Sequence, residues 1–259
     1  MKFTIDHKFI AAVLLSLSTS GFSAINLETF KNKANESENT GRCIGARDIN
    51  YCNGELDYAL SKNLITKDAY NWGKTNEFYP VVNRRDVVEA ICKCGCFDGE
   101  TQILLSGLEG ETLAAIKTIT KGQDVMALSS EATLTDLSLD TFQIETVTQG
   151  PEENDMYVFT MENGAVLKLT RHHGVLLSTG EMIAAMDVDT SHKMLLAEDG
   201  SEVAVTKITR EKPKGDVYNI DTDGDDNLNH IIVAEGILVG DVAWQNGLAA
   251  ELGSIQIRQ

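Results

Sequence analysis

The sequence predicts a mainly β protein, with a compact all-β domain over residues 96–241 and a small helical, disulfide-bridged piece over residues 24–95 before it. From residue 96 onward, short runs of β-branched and apolar residues alternate with turn residues at close spacing, which is typical of a β-sandwich or barrel. Upstream, apolar residues recur at helical spacing. Hydrophobic residues make up 42% of the chain, enough for at least one packed core.

Residues 1–23 have the three-part pattern of a secretory signal peptide. Lys2 and Lys8 supply a positive start, Phe9–Leu17 an apolar run, and small residues follow. Cleavage is expected after Ser23 or after Ala24, and an uncleaved N-terminal helix is the alternative. The apolar run is too short to span a bilayer. We therefore expect a secreted or extracytoplasmic protein with no transmembrane segment after signal removal.

The chain is strongly acidic, with a formal net charge of -17. A surface of this sign repels phosphate backbones and anionic lipids, so neither nucleic acid nor a membrane surface is an expected partner.

The five cysteines have an odd count, which matters in an oxidising compartment because at least one thiol stays unpaired. The simplest arrangement has two bridges among the first four and a free Cys96, although a bridge from Cys96 to a nearby cysteine is an alternative. A metal site at Cys92, Cys94 and Cys96 is the rival interpretation, but the one-residue gaps between these cysteines are tighter than those of ordinary zinc sites. We expect no metal and no cofactor. The cysteines are Cys43, Cys52, Cys92, Cys94 and Cys96.

In the N-terminal piece, apolar spacing predicts short helices over residues 63–72 and 86–91. In the following domain ten runs are predicted as strands, and Asn163-Gly164 predicts a hairpin between two of them. Residues 242–259 are predicted to form a short tail. The predicted strands are 101–105, 124–128, 142–148, 156–161, 166–170, 175–178, 203–209, 216–221, 230–234 and 237–239.

Three features carry residues suited to chemistry. Gly95-Cys96-Phe97 lies where the helical sequence pattern gives way to the β pattern, and Thr170-Arg171-His172-His173 ends a predicted strand. His230 begins a late strand. Side chains at strand ends can face a common site.

These features and their neighbours resemble the motifs of Hint domains, the fold shared by hedgehog autoprocessing domains and inteins. Residues 96–103 resemble the opening motif, and residues 121–125 resemble the Gly-Asp turn that follows it. Residues 170–173 match the Thr-x-x-His motif, and residues 217–220 with 230–239 resemble the closing hairpin. The match covers residues 96–241 in order, and it implies a Hint-type fold and self-processing.

The resemblance implies autocatalytic cleavage at Gly95-Cys96 through an N-to-S acyl shift. The Cys96 thiol would attack the Gly95 carbonyl. Because both groups belong to one chain, bringing them together costs no entropy of association. The resemblance assigns His173 as proton donor to the leaving amide, and Thr170 as the residue that holds the scissile peptide. A histidine suits proton transfer because its pKa lies near working pH.

The C-terminal end of the domain departs from the intein pattern. Inteins end in a His-Asn pair, whereas this sequence has Gly240-Asp241, so cleavage without splicing is expected. Water or another small nucleophile would resolve the thioester, with the chain's own N-terminal segment as substrate. His230 is expected to activate the acceptor and Asp241 to assist. Asn246-Gly247 is an alternative terminus of the motif.

Two other interpretations follow from the same residues. The domain could be a catalytically inactive secreted β module with a structural or interaction role. Separately, residues 219–224 have the spacing of an EF-hand loop start, but the twelfth position is His230, where that loop needs a glutamate. An acidic turn is the alternative to a calcium loop.

Overall fold

The computed structural model describes residues 23–34, 52–93, 95–108 and 110–244 of the 259-residue chain. The predicted signal peptide up to residue 22 and the predicted tail beyond residue 244 lie outside the described residues. So do Cys43, Cys94 and the alternative terminus at Asn246-Gly247.

In its described residues, the N-terminal unit contains three helices and a two-stranded antiparallel hairpin with a core of their own. The helices are α1 (Leu27–Ala34), α2 (Cys52–Ser61) and α3 (Lys67–Asn76), and the hairpin strands are β1 (Phe78–Val82) and β2 (Val88–Lys93). No helix in the described ranges is long and apolar enough to cross a membrane. The core contains Phe30, Leu56, Ala59, Ile65, Ala69, Tyr79, Val81, Val88, Ala90, Ile91 and Cys92.

Turn chemistry overrides helical spacing in two places of this unit. The helix predicted over 63–72 begins at Lys67, because the Thr66 hydroxyl accepts the backbone N–H of Ala69 as an N-cap. The helix predicted over 86–91 is wrong, because these residues enter β2. The Asn83 side-chain oxygen accepts the N–H groups two and four residues ahead, which forms a turn instead of a first helical turn.

The remainder of the described chain is mainly β, as predicted, and every predicted strand is present within a few residues of its expected bounds. Four strands without a strong sequence pattern were missed: β3, β5, β11 and β12. The strands are β3 (Phe97–Asp98), β4 (Gln102–Gly107), β5 (Gly110–Ala115), β6 (Asp124–Leu128), β7 (Leu139–Pro151), β8 (Met156–Met161), β9 (Val166–Leu169), β10 (Gly174–Leu176), β11 (Met182–Ala184), β12 (Lys193–Leu195), β13 (Glu202–Glu211), β14 (Asp216–Thr222), β15 (Ile231–Ala234) and β16 (Ile237–Gly240).

The strands form one antiparallel network of 14 strands, in the order β11-β10-β16-β15-β4-β6-β7-β14-β3-β9-β8-β13-β12, with β5 beside β4. The long strand β7 pairs with β6 through its first half and with β14 through its second half, so it joins both parts of the network. The short strand β3 lies between β14 and β9, where Phe97 pairs with Tyr218 and Leu169. This register places Cys96 between the ends of two strands.

The hairpin predicted at Asn163-Gly164 is confirmed, with β8 and β9 paired antiparallel. Only Gly164 of the two turn residues has positive φ, at 88°. The Gly164 N–H donates to the Met161 carbonyl over 3.0 Å, so the loop closes around a glycine in the left-handed region.

Candidate active site

Thr170 holds both backbone groups of Cys96. The Cys96 N–H donates to the Thr170 hydroxyl oxygen over 2.7 Å, and the Thr170 N–H donates to the Cys96 carbonyl over 2.9 Å. Thr170 directly follows β9, which pairs with β3, so strand pairing brings these two residues together. The leaving nitrogen of the predicted cleavage is therefore fixed by one side chain.

Asn219 holds the other end of the same peptide unit. Its Nδ2 donates to the Gly95 carbonyl oxygen over 2.7 Å, and its Oδ1 accepts the N–H of Ile220 over 2.8 Å. The second hydrogen bond fixes the amide so that its NH₂ group faces Gly95. Asn219 is fully buried, and a buried donor on this oxygen stabilises the negative charge that nucleophilic attack develops there.

His173 is fully buried beside the scissile bond, with its ring packed edge-on against Phe97 at a centroid distance of 4.1 Å. Neither ring nitrogen makes a hydrogen bond of good geometry. Burial lowers the pKa of His173 to about 3, although the nearby carbonyls of Gly95 and Gly240 favour the protonated form. His173 is therefore neutral at physiological pH, and it must accept a proton before it can donate one.

The Cys96 thiol is free and buried, in contact with Met156 and Val217. Burial raises the pKa of the thiol, and the carboxyl groups of Glu152 and Glu77 raise it further. The resting thiol is therefore protonated, and attack requires a base. Cys92, four residues earlier, is disulfide-bonded.

The partly buried His230 pairs with the fully buried Asp241. Its Nδ1 lies 2.8 Å from Asp241 Oδ2 and 3.9 Å from Asp221 Oδ1. Burial opposes the charged form of His230, but the two carboxylates outweigh it and raise the pKa of His230 to about 9. His230 is thus protonated at neutral pH. Most His230 rings are therefore unable to act as the predicted activating base until the pH approaches that value.

The second oxygen of Asp241 has a local structural role. Asp241 Oδ1 accepts the N–H groups of Ala243 and Trp244, over 2.8 Å and 3.3 Å. This turn places Trp244 against Gly174 and Gly240. An aspartate at this position therefore anchors the end of β16 in addition to pairing with His230.

Asp221, His230 and Asp241 are the described residues that could hold a metal ion, because their ligand atoms lie within 4.8 Å of one another. Asp241 Oδ2 already accepts from the His230 ring and from the Thr222 N–H, at 2.8 Å and 3.2 Å. Asp241 Oδ2 is therefore engaged by two donors of the chain itself.

The structure therefore gathers Cys96, Thr170 and His173 around the Gly95 carbonyl, while His230 and Asp241 form a second group. The groups are linked by β16, because the carbonyl of its last residue, Gly240, lies beside the His173 ring.

Sequence reasoning missed three side chains of this site. Asn219 occupies a buried position of β14, and a polar residue at such a position is a signal that the sequence offered. Glu77 and Glu152 lie far from Cys96 in sequence, and nothing local marks them as neighbours of the thiol.

The run that begins like an EF-hand loop serves other contacts. Asn219 binds the Gly95 carbonyl, Asp221 lies beside His230, and Asp226 caps a short 3-10 helix through the N–H of Leu228. Its side chains are therefore engaged at separate places.

No protein-family model matches the sequence, and no curated protein matches it significantly. Among solved structures, the chain is similar to a DnaB intein from Synechocystis sp. PCC 6803, at 19% identity over 57% of this chain and 99% of that one, with a TM-score of 0.46. An intein-like domain from Clostridium thermocellum is 21% identical over 56% of this chain and 97% of that one, with a TM-score of 0.45. An intein from a hyperthermophile is 17% identical over 57% and 99%, with a TM-score of 0.47. These are proteins of the Hint fold, the fold that the sequence motifs of this chain resemble.

Proposed function

We propose that the chain cleaves its own Gly95-Cys96 peptide bond through a thioester on Cys96, which water or another small nucleophile then resolves without splicing. One observation carries the proposal. Thr170 binds the N–H and Asn219 binds the carbonyl of a single peptide unit, and the residue after its carbonyl carries the free thiol.

In the first step the Cys96 sulfur attacks the Gly95 carbonyl carbon, and the thiol proton passes to neutral His173. Negative charge develops on the carbonyl oxygen, where Asn219 Nδ2 donates. The protonated His173 ring then gives its proton to the Cys96 nitrogen as the C–N bond breaks. The products are a thioester between Gly95 and the Cys96 sulfur, and a free amino group on Cys96.

In the second step a nucleophile adds to the thioester carbonyl and the Cys96 thiolate leaves. With water, Gly95 becomes a C-terminal carboxylate and the thiolate recovers a proton. His230, paired with Asp241, serves this step: it is protonated below about pH 9 and accepts a proton from water above it.

The proposed substrate is the chain's own N-terminal segment, and the proposed location is secreted or extracytoplasmic. The sequence pattern of residues 1–23 supports the location, and the net charge of -17 argues against a nucleic-acid partner.

A specific observation favours a second candidate, an inactive secreted β module. Burial and the two acidic neighbours keep the Cys96 thiol protonated, which lowers its nucleophilicity. The two candidates differ in whether the chain is cut.

Intact mass of the purified chain, with and without hydroxylamine, separates them. We expect a wild-type fragment that begins at Cys96, and with hydroxylamine a partner fragment that carries a hydroxamate on Gly95. Cys96→Ala should stay intact, and His192→Ala, in a loop away from these contacts, should cleave like wild type. A folded wild type that stays intact under both conditions would favour the inactive module.

A further inference from the structure

The C-terminal end of α3 is capped by the β domain. The last carbonyls of a helix have no partner within it. The Gly73 carbonyl accepts the N–H of Glu77, which caps the helix locally. The backbone carbonyls of the next three residues accept hydrogen bonds from side chains of the β domain. The Lys74 carbonyl accepts from Asn154 Nδ2 over 3.5 Å, and the Thr75 carbonyl accepts from Arg171 Nη1 over 2.7 Å. The Asn76 carbonyl accepts from His172 Nε2 over 2.6 Å.

The chemistry of Arg171 and His172 suits a helix end. The positive guanidinium lies where the helix dipole is negative. Burial lowers the pKa of His172 to about 4, so the ring is neutral, and the nitrogen that faces the Asn76 carbonyl carries the hydrogen. The Phe78 ring packs against His172 at a centroid distance of 5.1 Å. The contact is therefore directional and has an apolar side.

Glu77 adds a second, independent sign of this contact. Its backbone is left-handed, with φ of 59°, at a helix-end position that usually takes glycine. Its carboxyl is buried, and Oε2 accepts the N–H of Arg171 over 3.2 Å. A left-handed backbone at a non-glycine residue and a buried carboxyl are both unfavourable, so surrounding contacts must stabilise them. Those contacts come from the β domain.

We infer that the β domain recognises its N-terminal unit as a specific substrate, through Arg171 and His172, and that the cleaved unit stays bound there. These two residues fill the variable positions of the Thr-x-x-His motif, so one short segment holds the scissile bond through Thr170 and the substrate through its neighbours. The specificity-determining contact is the end of α3, and it does not include the Gly95-Cys96 peptide bond that cleavage would break.

The persistence of the complex follows from where the contacts lie. They join residues 74–78 to residues 153–172, and none of them uses the Gly95-Cys96 bond. Cutting that bond removes a covalent link but leaves each of these hydrogen bonds in place. The statement about the cleaved complex rests on the proposed self-cleavage, whereas the docking itself does not.

Docking is tested on the full-length Cys96→Ala chain, which cannot form the thioester. Hydrogen–deuterium exchange would be followed in peptides from α3 and β1. Arg171→Met/His172→Leu keeps side-chain bulk but removes the donors, and we expect exchange about tenfold faster at the C-terminal turn of α3. His172→Gln retains an N–H donor and should keep most of the protection. Lys193→Ala, an exposed residue paired with Glu202, should change nothing in α3.

Unchanged exchange at α3 in the double variant, with the rest of the chain still protected, would overturn the docking. If protection is lost throughout the chain, the single variants His172→Leu and His172→Gln decide: equal exchange in the two would also overturn it.

The fate of the product is tested on wild type. After cleavage the two wild-type fragments should co-elute in size-exclusion chromatography. Separation of the wild-type fragments would overturn the persistence of the complex. A wild type that never cleaves would instead refute the proposed function, while the exchange result on Cys96→Ala still decides the docking.

Discussion

At the scale of single residues, Thr170 and Asn219 bind the two ends of one peptide unit and have different roles there. Thr170 positions the leaving nitrogen, and Asn219 supplies a donor where charge develops. Only the second interaction strengthens as the carbonyl oxygen becomes negative, so its loss should affect the rate of attack more than it affects the resting geometry.

Asn219→Ala should therefore slow formation of the fragment that begins at Cys96 by about 10²- to 10³-fold, the usual cost of removing one donor from a developing oxyanion. The rate would be measured by intact mass over time. Gln149→Ala removes an exposed amide from the neighbouring strand and should leave the rate unchanged. Cleavage at the wild-type rate in a folded Asn219→Ala chain would remove Asn219 from the mechanism.

The His230–Asp241 pair should make stability depend on pH. The folded pKa of His230, about 9, lies above its ordinary value of about 6.5, so the folded state holds the proton more tightly. The stability from this pair is complete below about pH 6.5 and is lost as the pH rises through about 9, by on the order of 1 to 3 kcal/mol. Urea unfolding at pH 6.5 and pH 9.5 would measure it.

His230→Gln provides the comparison, because it removes the titrating ring and retains polar contacts. Its free energy of unfolding should fall less than that of wild type between the two pH values. An equal fall in both chains would mean that the pH dependence arises elsewhere.

At the scale of elements, β10 and the end of β16 are packed without space for an added side chain. A Cβ atom on Gly174 would lie 2.2 Å from Cε3 of Trp244, which is itself buried. Asp241 fixes that tryptophan through two backbone hydrogen bonds, so the ring has limited freedom to move.

Gly174→Ala should consequently lower the free energy of unfolding by about 1 to 3 kcal/mol, as overpacking of a filled core does. Gly215→Ala is a matched control, since a Cβ there meets no atom within 4 Å. The midpoints of urea unfolding would be compared. If both variants unfolded at the same concentration, the packing of Trp244 over β10 would be less rigid than described.

At the scale of the whole molecule, the net charge of -17 should act against the folded state. Raising sodium chloride from about 10 mM to about 150 mM shortens the screening length from about 30 Å to about 8 Å. The melting temperature should rise over this range, because repulsion among the excess carboxylates weakens. Potassium chloride should act equally. A fall in melting temperature would show that ion pairs such as Lys74–Glu153 outweigh the repulsion.

The β character of residues 96–241 is readable from sequence because alternation and turn residues act locally. Asp124–Leu128 and Met156–Met161 were predicted to the residue, and Asn163-Gly164 was correctly placed in a hairpin. The helix predicted over 86–91 is wrong because of another local interaction. The Asn83 side chain, which precedes the predicted helix, accepts backbone N–H groups and forms a turn there.

Local sequence patterns are enough to predict the fold class, the nucleophile candidate Cys96 and the candidates Thr170 and His173. What surrounds these residues depends on how distant segments of the chain pack together. Pairing of β3 with β14 brings Asn219 to Gly95 across 124 residues, and docking of α3 brings Glu77 near the thiol. The protonation states of His173 and His230 were also settled there, because burial and neighbouring charges set a pKa, and both depend on how distant segments pack.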